Sequence, residues 1–434
     1  MIEIIHSREK ERLARKLRRI RQRNVALDAE LMLQVAAIIE DVRNRGDAAL
    51  IDYTARFDGC AIQASDLRID EETLRQVASS VKSDVLDALR EAIRRVRFFH
   101  EFERQRSWEV ELPDGIRMGQ RIAAIERAGM YVPGGTASYP SSVVMNVVPA
   151  QVAGVARIVV ATPPRALQET PAVAAALVEL GVTEVYGVGG AQAIAALAFG
   201  TETVPRVDKI TGPGNKYVAA AKKLAFGVVG IDSIAGPTEV IVIADDSGRA
   251  AYIASDLLAQ AEHSEDASAV LVTTSESLAG DVAAELTTQI RTLPRAQVIE
   301  RSLDQYGAIF VVGDLDEGCA LVNEIAPEHL EIMCRDEEQI ASQVQHAGAI
   351  FFGDQTPEAL ADYLAGPNHV LPTSGAARFS SALGVYDFLK RTSILKFSAN
   401  ELKNAAPMIA ALARAEGLEA HARSALMRFE GEKQ

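Results

Sequence analysis

"ARIVVATPPRALQETPAVAAALVELGVTEVYGVGGAQAIAALAFG", from Ala156 to Gly200, alternates two kinds of apolar run. "ARIVVATPP" and "VTEVYGVGG" are short, rich in valine and closed by proline or glycine, as buried strands are. "PAVAAALVELG" and "AQAIAALAFG" are longer, alanine- and leucine-rich, and read as helices. Strands that alternate with helices indicate a parallel sheet with crossover helices. The alternation extends upstream through the strand "RAGMYVPGG" and the helix "SSVVMNVVPAQVAG", and downstream through "VDKITGPGN". A second series starts at Glu239, with "EVIVIADD", "SAVLVTT", "GAIFVVGD", "HLEIMC" and "GAIFFGD" as strands and helices between them. Two wound α/β units are therefore expected.

The flanks read differently. Residues 26–107 are helical in pattern, and beyond Thr373 the strand signal disappears, leaving "APMIAALARAEGLEAHARSALMRF" as a terminal helix pair. The expected organisation is an N-terminal helical arm over 1–25 and a discontinuous α/β domain formed by 26–130 and 237–380. A second α/β domain spans 131–236, and a C-terminal helical tail covers 381–434.

The 434 residues, 48% apolar and 24% charged, suit a soluble chain with several well-buried cores. A net charge of -14 argues against nucleic acid as a partner. The basic stretch "REKERLARKLRRIRQR" carries Leu13, Leu17 and Ile20 as a helical stripe, and Glu9 and Glu11 inside it oppose a presequence reading. No apolar run approaches the ~20 residues of a membrane span. Cys60, Cys319 and Cys334 lack metal or redox spacing. A cytoplasmic protein is expected.

Several stretches could carry chemistry. "LLAQAEHSEDA" (257–267) puts Gln260 and His263 on one helical face, half of a metal site or a bland helix end. "APEHLEIM" sets Glu328 beside His329 just ahead of a strand, where fixed side chains suit acid–base work. "TPEALADYLAGPNHVLPT" holds Asp362 on a short helix and His369 after a turn, and "EGLEAHARSALM" pairs Glu416 with His421. Four of the seven histidines lie in these stretches. A mixed nitrogen and oxygen set without thiolate suits Zn²⁺, with Mn²⁺ or Co²⁺ as substitutes. Glycine turns at 132–136, 187–192 and 212–215 stand where strands should end, but none matches the dinucleotide fingerprint.

Together "GPGNKYV", "AGPTEV", "SDLLAQAEH", "PEHLE", "GPNHVLPT" and "EGLEAHA" resemble the histidinol dehydrogenase family over nearly the whole chain. The resemblance implies two wound, incomplete Rossmann-like parallel-sheet domains. It implies one zinc ion per subunit held by Gln260, His263, Asp362 and His421, with Glu328 and His329 as the catalytic pair. Substrate contacts would be Thr238, Gln260, His263, His329, Asp362, Glu416 and His421, and NAD contacts Tyr131, Gln192 and Asn215. The implied reaction is the four-electron oxidation of L-histidinol to L-histidine through L-histidinaldehyde with two NAD⁺, closing histidine biosynthesis. The implied assembly is a homodimer in which the tail completes the neighbouring subunit's site. A related zinc- and NAD-dependent dehydrogenase of a small sulfonated diol is the nearest alternative. Glu416 speaks against it, because a carboxylate repels a sulfonate. A non-catalytic binding protein would need an empty catalytic position, and every position is filled.

Overall fold

The alternating runs form two six-stranded sheets in the computed structural model, which describes residues 2–23, 28–134 and 139–429. The first sheet has the order Arg68–Ile69, Glu184–Gly187, Arg157–Thr162, Arg127–Tyr131, Lys209–Thr211, Gly230–Ile231. All its pairs are parallel except the two-residue edge strand Arg68–Ile69. The chain starts at Arg127–Tyr131, winds outward on one side, then returns to the other side at Lys209. This reversal is a topological switch point, where the carboxyl ends of neighbouring strands diverge and leave a crevice.

The second sheet repeats the winding. Its order is Glu3–His6, Ala308–Val311, Ser268–Thr273, Glu239–Ala244, His329–Met333, Ala349–Phe352, and every pair is parallel. Both sheets lie in one compact unit made of residues 1–103 and 125–388.

Two expectations about the flanks are corrected. The N-terminal segment is not only a helical arm: Glu3–His6 is an edge strand, and Lys10–Arg21 buries Leu17 and Ile20 in the core with Ile5 and Phe310. Helix Ala29–Arg45 covers the first sheet rather than the 237–380 region. Leu31, Val35, Ile38, Ile39 and Val42 of Ala29–Arg45 share a core with Ala193, Ile194 and Leu197 of Gly190–Phe199. An apolar stripe shows that a helix is covered but not by what, and the alanine-rich helix face is what admits these side chains.

Residues 104–124 and 389–434 form a second compact unit. Its antiparallel sheet has the order Leu389–Lys396, Arg117–Ala124, Trp108–Glu111. Its helices Ala399–Ala415 and Glu419–Leu426 pack through Ala410, Ala413 and Ala422. The expected tail without strands is thus corrected: "LKRTSILK" is a strand, but it is exposed along most of its length and carries no buried-strand pattern.

Gly212, at the end of Lys209–Thr211, has φ +110°, and an added Cβ would lie 2.1 Å from the Tyr131 carbonyl oxygen. Gly212→Ala should therefore lower stability to denaturant by at least ~1–3 kcal/mol. Gly227→Ala, at φ +102° in open space, should lose less.

Candidate active site

The candidate residues gather at the amino ends of two neighbouring strands. Val240 pairs with His329, so Thr238 and Glu239 stand beside Glu328 and His329. The Glu328 carboxylate accepts from Thr238 Oγ1 (2.6 Å) and from the Glu239 backbone N–H (3.1 Å). Nδ1 of His329 lies 3.1 Å from the Glu239 carbonyl oxygen. That oxygen can only accept, so Nδ1 carries the proton and Nε2 is left as the basic nitrogen.

Burial pushes the Glu328 carboxyl up to about 8, against the two hydrogen bonds that favour its charged form. Burial also lowers His329, which keeps its ring neutral near pH 7, although Asp362 and the Glu239 hydrogen bond pull the other way.

Helix Ala250–Ala261 ends two residues short of His263, where its pattern would have carried it. Glu262 is its C-cap, and His263 follows on the turn with its N–H bonded to the Gln260 carbonyl (3.3 Å). Gln260 is fully buried. The amide orientation that satisfies its neighbours has Oε1 accepting from Thr238 Oγ1 (2.7 Å) and Glu239 N–H (2.9 Å), while Nε2 donates to Glu358 (2.5 and 2.8 Å). Thr238 has one hydroxyl proton for two acceptors. A protonated Glu328 would donate to Thr238 and release that proton for Gln260.

Among the described residues, His263, Glu358 and Asp362 form a set whose ligand atoms all lie within 4.8 Å of one another. Its nitrogen and oxygen donors fit a borderline divalent cation. Glu358 was not singled out in the sequence, although its spacing of four from Asp362 on helix Glu358–Tyr363 places both on one face. Glu331, on the same strand face as His329, accepts from the Glu358 backbone N–H (2.9 Å) and so fixes the start of that helix. His369 Nδ1 sits 3.5 Å from Asp362 Oδ1, which gives this histidine a role in holding Asp362. Burial would raise Asp362, but His369, His329 and His263 outweigh it and hold its carboxyl below the usual range.

Glu416 and His421 belong to the second unit, where both are exposed. The set assembled in the first unit does not include them.

The first sheet presents its carboxyl ends to the same crevice. Its lining runs from Tyr139, Ser142 and Gly212 across to Thr238, His263 and Glu328. Tyr131 Oη accepts from the Gly190 backbone N–H (3.0 Å), and its burial pushes the phenol up to about 12. Gln192 is buried, and among the described residues neither amide atom has a partner. Such an orphaned amide costs stability unless a ligand meets it. The Asn215 oxygen caps helix Lys216–Ala225 through Tyr217 and Val218 N–H, so its amide nitrogen faces outward as a donor. Gly135 and Thr136 of the first glycine turn lie outside the described residues.

A family profile described as histidinol dehydrogenase matches residues 21–429. The chain belongs to the histidinol dehydrogenase family. The histidinol dehydrogenase of Geobacillus kaustophilus is 52% identical over 397 residues, covering 91% of this chain and 93% of its own. That of Bacillus cereus is 49% identical over 432 residues and the full length of both chains. The crystal structure of histidinol dehydrogenase from Elizabethkingia anophelis superposes with a TM-score of 0.91 at 33% identity, over 99% of this chain and 98% of that one. As a histidinol dehydrogenase the chain is an oxidoreductase, and the parallel α/β fold is shared with that structure.

The raised carboxyls have a consequence for stability. Glu328 holds its proton up to about 8 when folded but only to the ordinary range near 4.5 when unfolded. The folded state therefore binds more protons between these values, and stability falls as pH rises through them. In metal-chelated protein, unfolding midpoints should drop between about pH 5 and 8. Glu328→Gln should flatten part of that drop, and an unchanged slope would contradict the burial of this acid.

Proposed function

We propose that this chain oxidises L-histidinol to L-histidine through L-histidinaldehyde, in two NAD⁺-linked steps at one crevice, in the cytoplasm. The observation that carries the reading is the adjacency of three features. These are a buried Glu328–His329 pair, a His263–Glu358–Asp362 donor set, and a crevice to which the first sheet brings the Gly212–Pro213 turn. Among the described residues, no helix is long and apolar enough to cross a membrane.

One zinc ion per subunit would be held by His263 and Asp362, by Gln260 with its amide turned so that Nε2 donates to Thr238 Oγ1 and Oε1 faces the donor set, and by His421 of the partner subunit. Tyr131, Gln192 and Asn215 would contact NAD. When bound, zinc orients the substrate's imidazole and amine, and NAD⁺ accepts hydride. The remaining work belongs to side chains of the chain. His329 Nε2 takes the hydroxyl proton, because Nδ1–H is committed to the Glu239 carbonyl. Glu328, once ionised, takes a proton from the water that attacks the aldehyde, and His329 acts again in the second oxidation. Buried Glu328 and Glu358 and half-buried Asp362 make the crevice acidic, which suits a cationic amine and repels a sulfonated diol.

In the second unit, Trp108, Leu395, Met408 and Leu412 are exposed, and such apolar surface supports burial in a homodimer. In that dimer Glu416 and His421 would complete the neighbour's site.

Four outcomes test these readings. Thorough chelation should abolish turnover, Zn²⁺ should restore it, and each histidinol should yield two NADH. One NADH per histidinol, or full activity without metal, would overturn the corresponding part. His329→Gln should lose about 10²–10⁴-fold. Refolded with His421→Phe, it should recover about a quarter of wild-type activity, because random mixing places one intact site in half of the dimers. Mixed dimers without recovered activity would assign His421 to its own subunit's site.

A further inference from the structure

A dinucleotide fold usually supplies an acid from the end of its second strand, which binds the ribose hydroxyls and disfavours a 2′-phosphate. The corresponding strand here, Arg157–Thr162, runs into Pro163 and Pro164 and offers no carboxylate. A carboxylate reaches that sheet edge from another element. Asp58 is the C-cap of helix Asp47–Phe57, a helix that shares the first sheet's core through Ala49 and Leu50.

The placement of Asp58 is specific. An added Cβ on Gly189 would lie 2.7 Å from Pro163 Cγ and 3.5 Å from Asp58 Oδ1. Gly189 therefore brings the strand end, the turn before helix Gly190–Phe199 and the Asp58 carboxylate together. Asp58 is near enough for its charge to act on Tyr131. Among the described residues its buried Oδ2 has no partner, and the Gln192 amide on helix Gly190–Phe199 has none either. The nearby Arg165 guanidinium is turned aside to the Gly59 carbonyl (2.9 Å). A negative charge at this turn repels phosphate and accepts hydroxyl protons, so the neutral diol of a nucleotide suits it and a phosphomonoester does not.

The geometry points to Asp58 as the group that binds the adenosine ribose diol of the cofactor and sets the preference for NAD over NADP. The inference rests on the proposed NAD crevice and deepens it. The carboxylate accepts from one or both ribose hydroxyls, which fills the need left at Oδ2. With the carboxylate removed, the repulsion that opposes a 2′-phosphate is lost.

The test is a titration of NADH and NADPH by nicotinamide fluorescence in the zinc-loaded full chain, without substrate. Asp58→Asn should weaken NADH binding by roughly 10- to 100-fold, the usual range for a lost bond to a charged group. It should also tighten NADPH relative to NADH, while Asp58→Glu retains the preference. Gln192→Ala should weaken both nucleotides alike. If Asp58→Asn leaves the ratio of the two affinities unchanged while Gln192→Ala weakens both, the role of Asp58 is overturned and the crevice stands. If Gln192→Ala changes neither, the crevice reading falls, and the role of Asp58 with it.

Discussion

One residue's backbone holds the acid–base pair in place. Glu239 gives its N–H to Glu328 and its carbonyl to His329, because Glu239–Ala244 and His329–Met333 run parallel in a single register. A slip of one residue would turn His329 and Glu331 to the opposite face of the sheet. It would remove the basic nitrogen from the crevice and the carboxylate that fixes the Glu358 helix. Thr238, Gln260 and Glu358 then follow as a chain of hydrogen bonds built outward from that register.

The second constraint is desolvation. Glu239, Glu328, Glu331 and Glu358 are all buried around this edge, with Asp256 close to Glu331. Burial pushes Glu239 up to about 7 and Glu358 well above the ordinary range, although the Arg23 guanidinium opposes the shift at Glu239. Arg23 also donates to the carbonyls of Thr238 and Asp266. The N-terminal segment thus clamps the strand start that carries the site. A site crowded with carboxyls either holds protons or takes up a cation, and a divalent ion or a cationic substrate relieves the same cost.

The two sheets share a winding but use opposite ends of it. The first sheet offers its carboxyl ends, where glycine turns and Gln192 would meet the proposed nucleotide. The second offers its amino ends, where side chains of Thr238, Glu328 and His329 converge. Both ends line one crevice, and under the proposed function a cofactor there would reach Glu328 and His329.

Much of this was legible in the sequence. Alternating apolar runs marked nine of the twelve strands of the two large sheets, missing Glu3–His6, Arg68–Ile69 and Gly230–Ile231, and short motifs marked Glu328, His329, His263 and Asp362. The exposed strand Leu389–Lys396 escaped because neither of its faces is buried along its length. Glu358 escaped because one glutamate on a short helix looks like a solvated side chain until its burial is known. By itself the sequence determined which runs are strands or helices and which side chains can do chemistry, since periodicity and motif spacing are local properties. Only the tertiary structure decided which helices cover which sheet, at which strand ends the site lies, and that Asp58 reaches Gly189. Those outcomes depend on packing and desolvation between segments far apart in the chain.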